Sequence, residues 1–321
     1  GRAGRTRPGK CFRLYTLETF DKELPESSHP EIVRSNLSSV VITLKTLGID
    51  DLVHFDFMEP PSPESMMRAL EMLNFLGAVD DECDLTGIGK HMAELPIDPH
   101  LSRFLLAAAE RGCCGEAVAI IAMLSVPPPF MRPRYAQKAA DKAHRACASG
   151  SGDHLTLLGT FSRFSQTQAK SEFCREGFLH ERSMRQAESI SRQLQAIVRS
   201  RGLQDAAVAT EGGMLTESVR QSLIEGFFMQ CAYIDSGGKS YFTVRDQQMV
   251  FIHPSSFLQH KPEWVLYHET VVTDRCYMRN VSAIPPEMLI LVKPAFYHPA
   301  SCKLNSVAQK SLERALPRVK R

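Results

Sequence analysis

Tryptophan is nearly missing from this chain of 321 residues, with a single copy at position 264, and no two cysteines are spaced as Cys-x-x-Cys. The nine cysteines are scattered, which favours reduced thiols in a cytosolic or nuclear protein over a disulfide framework or a zinc site. No apolar run reaches the roughly 18 residues that a membrane span requires. The composition therefore indicates a folded chain long enough for two or three domains.

Common catalytic motifs are absent as well. The sequence has no phosphate-binding glycine-Lys-Ser/Thr loop, no HExxH, no GxSxG and no carboxylates spaced like a catalytic pair. Several histidines stand alone, without metal-ligand spacing or a nucleophile motif beside them: His54, His91, His253 and His268. We therefore expect structural histidines, no metal site and no complete active site in this chain.

Charge is distributed unevenly, although the net charge is only +2. Residues 49–98 contain twelve acidic side chains against two basic ones, Arg68 and Lys90. Positive charge collects in three other segments, which are residues 1–13, 132–145 and 303–321. The acidic segment should repel phosphate, so the pattern predicts that separate surfaces meet separate partners, some of them anionic.

Two helices are indicated near the start of the chain. Residues 31–49 place apolar side chains at helical spacing and stop at Gly48. A second apolar stripe follows Ser62, a suitable N-cap, and Pro63, which suits the first helical position.

A small hairpin is expected after these helices. Short extended pieces are predicted at 85–86 and 92–95, flanking a turn at Gly87 and Gly89. Helices followed by such a hairpin are typical of a winged-helix module.

From residue 99 to about 205 the pattern is helical throughout, which predicts a helical bundle. On the last predicted helix, over 182–199, Arg185, Arg192 and Arg199 recur at every seventh position. Such a row can follow a phosphate backbone. The alternative is an ordinary solvated face, because lone charged stripes are common on helices.

Beyond a small and polar stretch at 206–216, the pattern changes to short β-rich runs separated by turn residues. These runs are GFFMQCAYI, KSYFTV, QQMVFIHP, EWVLYHETVVT, YMRNVSAI and LILVKPAF. Five or six short strands in about 80 residues fit a small OB-type barrel better than a sandwich. The last twenty residues are basic and weakly patterned, which predicts fraying or a short terminal helix.

The opening stretch, GRAGRTRPGKCFRLYT, carries five cations and no acid in its first 13 residues. A disordered basic arm and a linker remnant are two simple interpretations. The apolar alternation at residues 11–15 argues against both, because it predicts a buried strand entered from the arginine loop. Arg2 and Arg5 are planar, forked cations on a glycine-rich loop, which can hold neighbouring oxygens of a triphosphate.

This opening stretch resembles motif VI, which ends the second RecA-like domain of DEAH-box RNA helicases. The resemblance continues through LPIDPHLSRFLL, GDHLTLL, HPSSFL and HKPEWVLYHETVVT and covers essentially residues 1–300. It implies that Arg2 and Arg5 are arginine fingers. It also implies that Gly1, Arg2 and Arg5 form half of a site for the phosphates of ATP, which binds with Mg²⁺ between two RecA-like domains.

The resemblance implies a mixed, multi-domain and mainly α fold. The expected parts are the end of a RecA-like domain (1–30), a winged helix (31–98), a helical-bundle ratchet domain (99–210), an OB-fold β-barrel (211–300) and a basic tail (301–321). Within the family, the chain is most similar to helicases that disassemble the spliceosome, release the intron lariat and serve ribosome biogenesis. That similarity implies a nuclear or nucleolar location.

The phosphate-binding loop and the DEAH box would lie upstream of Gly1. The resemblance therefore implies an ATP-dependent RNA helicase, an ATP hydrolase, as the full-length protein, and no ATP turnover by residues 1–321 alone. The rival hypothesis is a non-catalytic RNA-binding or scaffold protein built from the same modules. Motif VI argues against this rival, because arginine fingers have no use in a pure scaffold.

Within the family, the ratchet domain and the OB-fold contact single-stranded RNA. The matching cations and aromatic residue in and beside the predicted strands are Lys239, Arg245, Arg275, Tyr277 and Arg279. Cations would neutralise phosphates and Tyr277 would stack on a base. Core packing is the alternative for Tyr277, and it is the favoured interpretation for Trp264.

The resemblance also implies a protein partner, since glycine-rich G-patch cofactors lay a short helix on the winged-helix module of these helicases. An apolar patch ringed by acidic residues suits a basic amphipathic helix. We place this contact around residues 52–58 and the helix at 66–76. The alternative is that most of these side chains face the core of their own module.

Overall fold

The computed structural model describes residues 2–25, 27, 30–34, 36–203, 213–299 and 306–319. The chain divides into two compact units, Gly1–Met72 and Leu73–Arg321. None of the helices described is both long and apolar enough to cross a lipid bilayer.

Short helices make up the first unit. They are α1 (Leu17–Lys22), α2 (Glu31–Arg34), α3 (Ser38–Thr46) and α4 (Pro63–Phe75), with the unit boundary falling inside α4. Two of these helices begin at hydroxyl caps: Thr16 Oγ1 accepts from the Thr19 amide at 3.1 Å, and Ser62 Oγ accepts from the Ser65 amide at 3.2 Å. Ser62 and Pro63 thus start α4 as the sequence predicts.

Two expectations for the first unit are wrong. The predicted strand over residues 11–15 does not form, because a strand needs a hydrogen-bonded neighbour and the described part of this unit contains none. The single helix predicted over 31–49 is interrupted, since Asn36 Oδ1 accepts from the Ser38 amide at 3.0 Å and starts α3 afresh. The apolar side chains that remain exposed in the failed strand are Phe12, Leu14 and Tyr15.

The second unit opens with a further helix where the sequence predicts a hairpin. Helix α5 (Gly87–Ala93) occupies the expected turn, and the strand predicted at 92–95 is absent. Thr86 explains the helix, because its Oγ1 accepts from the Gly89 amide at 3.0 Å and caps α5. Gly89 is needed for close packing and not for a turn, since a Cβ there would lie 2.0 Å from the Ala78 carbonyl oxygen.

The ratchet-like part is helical, as predicted. Its helices are α6 (Pro99–Glu110), α7 (Cys114–Leu124), α8 (Gln137–Cys147), α9 (Asp153–Gln166), α10 (Lys170–Glu176) and α11 (Glu181–Ser200). A further helix, α12 (Gly213–Phe227), was not predicted, since this stretch was expected to hold a small polar connection and the start of the OB-fold. Helix α7 is buried along most of its length and packs against α6, α9 and α11. Helix α6 packs closely on α12, where a Cβ on Gly226 would lie 2.4 Å from the His100 carbonyl oxygen.

Five strands close a small barrel after α12. They are β1 (Cys231–Ile234), β2 (Tyr241–Thr243), β3 (Met249–Ile252), β4 (Trp264–Val272) and β5 (Cys276–Ala283). The order around the barrel is β1-β2-β3-β5-β4, with β3 and β5 parallel and the other pairs antiparallel. This is the five-stranded OB arrangement that the sequence predicts.

The sixth β-rich run, LILVKPAF, is not a strand. It forms α13 (Pro286–Val292) and α14 (Pro294–Tyr297), each of which starts with proline at its first helical position. The basic tail contains α15 (Ser306–Val319), the terminal helix that was one of its two predicted outcomes. Trp264 is completely buried under this helix and donates from Nε1 to Ser311 Oγ at 2.9 Å, which confirms its place in the core.

Barrel and helical bundle meet along the start of α9. Gly152 pairs with Ser282 on β5, and the Ala283 amide donates to the Ser151 carbonyl at 3.0 Å. The φ angle of Gly152 is +124°, and a Cβ there would lie 2.5 Å from Ser282 Cα. Glycine is therefore required at this joint, which fixes the barrel against the ratchet helices.

Candidate nucleic-acid interface

Arg2 and Arg5 lie in the first unit, on an exposed loop. Within the described residues neither guanidinium has an ion-pair partner, while Gly1 falls outside them. A Cβ on Gly9 would lie 2.1 Å from the Ala3 carbonyl oxygen, so the loop folds back tightly over this stretch. Both arginines are thus presented to solvent beside a constrained backbone, with their hydrogen-bond donors available to a ligand.

The outer face of the barrel gathers part of the predicted RNA site. Strands β3 and β5 run parallel with Phe251 opposite Tyr277, and the two rings lie 6.2 Å apart. The Arg275 guanidinium stands over Phe251 at 5.0 Å from the ring centroid, and the His253 ring lies 5.6 Å from Tyr277. Tyr277 and Arg279 share a face because they lie two residues apart on β5, and Arg275, just before the strand, joins that face through its contact with Phe251. This set of five side chains, Phe251, His253, Arg275, Tyr277 and Arg279, is the β3–β5 face.

Lys239 and Arg245 lie farther along the sheet. Lys239 is exposed in the loop between β1 and β2, and Arg245 is exposed in the loop between β2 and β3. They therefore sit at opposite ends of β2. The structure brings three of the five predicted RNA residues onto one face and leaves these two on the loops that flank β2.

A cleft of about 360 Å³ opens beside the β3–β5 face, between the barrel and the ratchet helices. The ratchet side contributes the end of α7, the loop that follows it and the start of α9. The barrel side contributes residues 253–257 and side chains from β4 and β5. The main lining residues are Phe130, Phe257, His253, His268, Glu269, Arg279 and Asn280. Arg279 belongs to both the cleft and the β3–β5 face.

Asp153 links the ratchet side of the cleft to the barrel side through hydrogen bonds. Its Oδ1 accepts from the Ser256 hydroxyl at 3.0 Å and the Phe257 amide at 2.7 Å, and its Oδ2 accepts from the Val281 amide at 2.7 Å. Burial raises the pKa of this carboxyl, although the three hydrogen bonds oppose that effect. The loop after β3 and strand β5 are therefore tied to the first residue of α9.

Two histidines lie at the same joint, His154 fully buried and His268 half-buried. His154 Nδ1 is 2.8 Å from Ser282 Oγ, and burial lowers the pKa of His154 to about 3, helped by the nearby His268. Burial also lowers the pKa of His268. His154 Nε2 and His268 Nδ1 are buried and have no hydrogen-bond partner in the structure. Both rings are consequently neutral at physiological pH.

Helix α8 presents a basic face to solvent. Lys138, Lys142 and Arg145 are exposed on the side opposite the buried Ala140, and Tyr135, just before the helix, is 92% exposed. The nearest acid, Asp141, already accepts from Arg132 at 2.6 and 2.8 Å. The positive charge that the sequence concentrates at 132–145 thus lies largely on this face.

The arginine row of α11 has a different character. Arg185 and Arg192 are exposed, but Arg185 pairs with Glu181 at 2.7 Å and Arg192 Nε donates to the Glu188 carbonyl at 3.4 Å. Side chains already engaged on their own helix have fewer donors left for a phosphate. The solvated-face interpretation is therefore the stronger one for this row.

The proposed G-patch segment is partly core. Leu52 and Met66 are buried, as the alternative interpretation expects. Val53, Met58 and Met67 are largely exposed. A solvent-facing apolar surface of a few side chains therefore remains within the acidic segment.

Several residues of the interface escaped the sequence interpretation. Phe251 lies in none of the motifs that carry the resemblance, Asp153 and Phe257 lie in GDHLTLL and HPSSFL but were given no role, and His253 was expected to be structural. The signal that was available is the alternation of outward residues along QQMVFIHP, which places Phe251 and His253 on one side. The contact of Asp153 with Phe257 spans 104 positions, so no local pattern could indicate it. No group of three His, Cys, Asp or Glu side chains in the described ranges is arranged to hold a metal ion.

Three stretches of the chain match known domain families. Residues 69–97 match the helicase-associated domain (HA2), winged-helix, and residues 98–157 match the helicase-associated domain (HA2), ratchet-like. Residues 219–297 match the oligonucleotide/oligosaccharide-binding (OB) fold. The cleft and the β3–β5 face thus lie where the ratchet-like and OB-fold matches adjoin in space.

Proposed function

We propose that this chain binds single-stranded RNA through the β3–β5 face and the adjoining cleft. Its winged-helix, ratchet-like and OB-fold domains are those typical of the C-terminal region of DEAH/RHA helicases. The observation that carries the proposal is the combination on one barrel face of two aromatic rings with two arginines. Bases stack on aromatic side chains without sequence preference, and arginines neutralise the phosphates between them.

The geometry suits a strand better than a duplex. Phe251 and Tyr277 lie side by side on neighbouring strands, with Arg275 just before β5 and Arg279 within it. A single strand can offer its unpaired bases to such rings while its phosphates pass the guanidinium groups. A duplex keeps its bases stacked inside and cannot use the aromatic part of this surface.

For the full-length protein we propose an ATP-dependent RNA helicase. Arg2 and Arg5 would contact the phosphates of ATP as arginine fingers, and ATP with Mg²⁺ would supply the phosphoryl-transfer chemistry. Their exposure and lack of ion-pair partners among the described residues support this role. Residues 1–30 would then end a RecA-like domain.

The cellular role is also a proposal. Pre-mRNA splicing, spliceosome disassembly and ribosome biogenesis in the nucleus or nucleolus follow from the resemblance of the sequence. A G-patch cofactor would bind the winged-helix segment, where Val53, Met58 and Met67 are exposed among acidic residues. Substituting these three side chains with serine should weaken binding of such a cofactor and leave RNA affinity unchanged.

A salt series tests the RNA proposal directly. The affinity of the chain for a short fluorescent single-stranded RNA is measured at rising salt concentrations, beside the double variant Arg275→Ala/Arg279→Ala. We expect the variant to flatten the slope of log affinity against log salt by about one to two units, because two phosphate contacts are lost.

The matched control removes two arginines elsewhere. Arg175 and Arg201 are exposed and pair with Glu172 and Glu94, so Arg175→Ala/Arg201→Ala changes the net charge equally and leaves the interface intact. Equal flattening in both double variants would show a non-specific charge effect. No binding at low salt would contradict the proposal, and the modules would then serve as a cofactor dock.

A further inference from the structure

We propose that the cleft between the barrel and the ratchet helices holds one nucleotide of the bound strand, turned out of the stack of its neighbours. The base would lie against Phe257 and Phe130, and its phosphate would contact Arg279. This inference rests on the proposed function, since it assumes that a single strand follows the β3–β5 face.

The size of the cleft sets the ligand class. Small-molecule sites usually have volumes of about 300 to 1,000 Å³, and this cleft, at about 360 Å³, is near the lower limit. It has room for one nucleotide and none for a stack of several. A strand on the β3–β5 face can therefore place only a single unit inside it.

The two walls of the cleft differ in polarity. The ratchet wall is largely apolar, formed by Met123, Leu124, Val126, Pro128, Pro129, Phe130 and Leu157. The carboxylate on this wall, Asp153, already accepts hydrogen bonds from Ser256, Phe257 and Val281. Phe257 extends the apolar wall from the barrel side, with its ring 4.6 Å from that of Phe130. The facing wall carries His253, His268, Glu269, Arg279 and Asn280. A ligand with a flat apolar body and a polar, charged edge fits between such walls, which describes a nucleotide.

Arg279 on the facing wall has unused hydrogen-bonding capacity. It forms an ion pair with Glu269, but the separation of 3.6 Å is beyond hydrogen-bond range. Arg279 therefore keeps donors for a phosphate oxygen.

The cleft is formed before any ligand binds. Asp153 accepts from both Ser256 and the Phe257 amide, so the loop that carries Phe257 is fixed. On the ratchet side the Met131 amide donates to the Phe178 carbonyl at 2.8 Å, which fixes the chain next to Phe130. A preformed site loses little conformational entropy on binding. The contacts that one extruded base makes in the cleft can therefore offset the stacking energy that it loses.

The cleft is continuous with the proposed RNA surface. His253 and Arg279 line the cleft and also belong to the β3–β5 face, where His253 lies 5.6 Å from Tyr277. A strand stacked on Tyr277 therefore reaches the mouth of the cleft with its next unit. This continuity favours a nucleotide of the same strand over an unrelated small molecule.

The test uses oligouridylates of about seven nucleotides, each with the fluorescent base 2-aminopurine at one position. Emission of 2-aminopurine rises when the base leaves its stack. We expect the complete chain to raise the emission strongly at one position of the oligonucleotide and only weakly at the others. A uniform response along the oligonucleotide would overturn the proposal.

Variants link the response to the cleft. Phe257→Ala should abolish the position-specific signal and weaken binding about tenfold, which corresponds to the loss of one stacked base. The salt slope should not change, because Phe257 carries no charge. Arg279→Ala should instead flatten the slope by about one unit. Phe242→Ala is the matched control, since this half-buried aromatic residue stacks on Tyr233, away from the cleft.

The outcomes separate the two proposals. No binding of the oligonucleotide at low salt would refute the proposed function itself. Binding without a position-specific signal would leave the RNA surface in place and refute the cleft inference alone. If Phe257→Ala unfolds, Phe257→Leu keeps the core filled but removes the ring, and a signal that survives this change would also refute the inference.

Discussion

Three cations surround the carboxylate of Glu225 on α12. Arg103 in α6 and Arg111 directly after it lie at 3.0 and 3.1 Å, and Lys293 lies at 2.7 Å. Burial alone would raise the pKa of Glu225, but the Lys293 hydrogen bond and the three positive charges outweigh it and hold the pKa below the ordinary value of 4.5. This residue therefore joins α6, α12 and the end of α13 through its ionised form.

Replacing Glu225 with glutamine should destabilise the protein by about 3 kcal/mol at pH 7, because three partly buried cations lose their counter-ion. The lowered pKa means that the stabilisation is present above pH 4.5 and is lost as pH falls through the folded-state value. The difference between wild type and variant in urea unfolding should therefore shrink below pH 4.5. Glu263→Gln is the control, since its exposed pair with Arg314 should contribute under about 1 kcal/mol.

A second effect of pH on the free energy of unfolding is expected from His154. Its pKa is about 3 in the folded protein and ordinarily 6.5, so the unfolded chain binds more protons between these values. The free energy of unfolding should thus fall with falling pH, by up to about 1.4 kcal/mol per pH unit from this group. His154→Asn, which does not titrate, should flatten the curve between pH 6 and 4. Ser282→Ala keeps the histidine and should keep the slope, and an unchanged slope in His154→Asn would contradict the prediction.

Among the helices, α8 carries basic side chains on its outer side that its packing in the helical bundle does not require. Its inner side packs through Ala140 and His144, whose ring contacts Phe130 at 5.1 Å, while its outer side is basic. Nothing in the packing of the ratchet helices needs the outer cations. Because Phe130 also lines the cleft, the basic face of α8 lies behind one wall of the proposed RNA site.

The triple variant Lys138→Ala/Lys142→Ala/Arg145→Ala should lower the salt slope of RNA binding by about one to two units if the strand continues over α8. Alanine suits a helix surface, so thermal unfolding should be unchanged. The triple variant of Arg185, Arg192 and Arg199 on α11 removes the same charge from the competing row. A larger effect on α11 than on α8 would reverse the assignment made from the ion pairs.

Elements also show where tertiary context overrides local pattern. LILVKPAF is rich in β-branched and apolar residues and was predicted as a strand, yet it forms α13 and α14. The five-stranded barrel is already closed by β1 pairing with β4, so no free edge remains for a sixth strand. Pro286 and Pro294 then favour helix starts.

For the whole molecule, we expect purified residues 1–321 to hydrolyse no ATP, with or without RNA. The sequence contains no phosphate-binding loop, and Arg2 and Arg5 supply only one side of a nucleotide site. Phosphate release in the presence of RNA is the measurement. Activity that disappears in Arg2→Ala/Arg5→Ala would contradict the expectation, whereas activity that survives this change would indicate a contaminating enzyme.

The sequence by itself determined the class and order of the modules. Helical spacing after residue 99, β-rich runs after residue 216 and the cap at Ser62 are local signals, because they depend on neighbours within one or two turns of chain. The winged-helix, helical and OB-type predictions were confirmed for this reason. The sequence also predicted Arg275, Tyr277 and Arg279 as RNA contacts in or beside a strand, without assigning them to a common face.

Only the tertiary structure decided the site itself. Phe251 meets Tyr277 because β3 and β5 pair in parallel, and Asp153 reaches Phe257 because the barrel docks on α9. The same docking buried His154 and formed the cleft. Contacts over such separations depend on how complete elements pack and leave no trace in local residue patterns, which is why the sequence indicated an RNA surface but not its cleft.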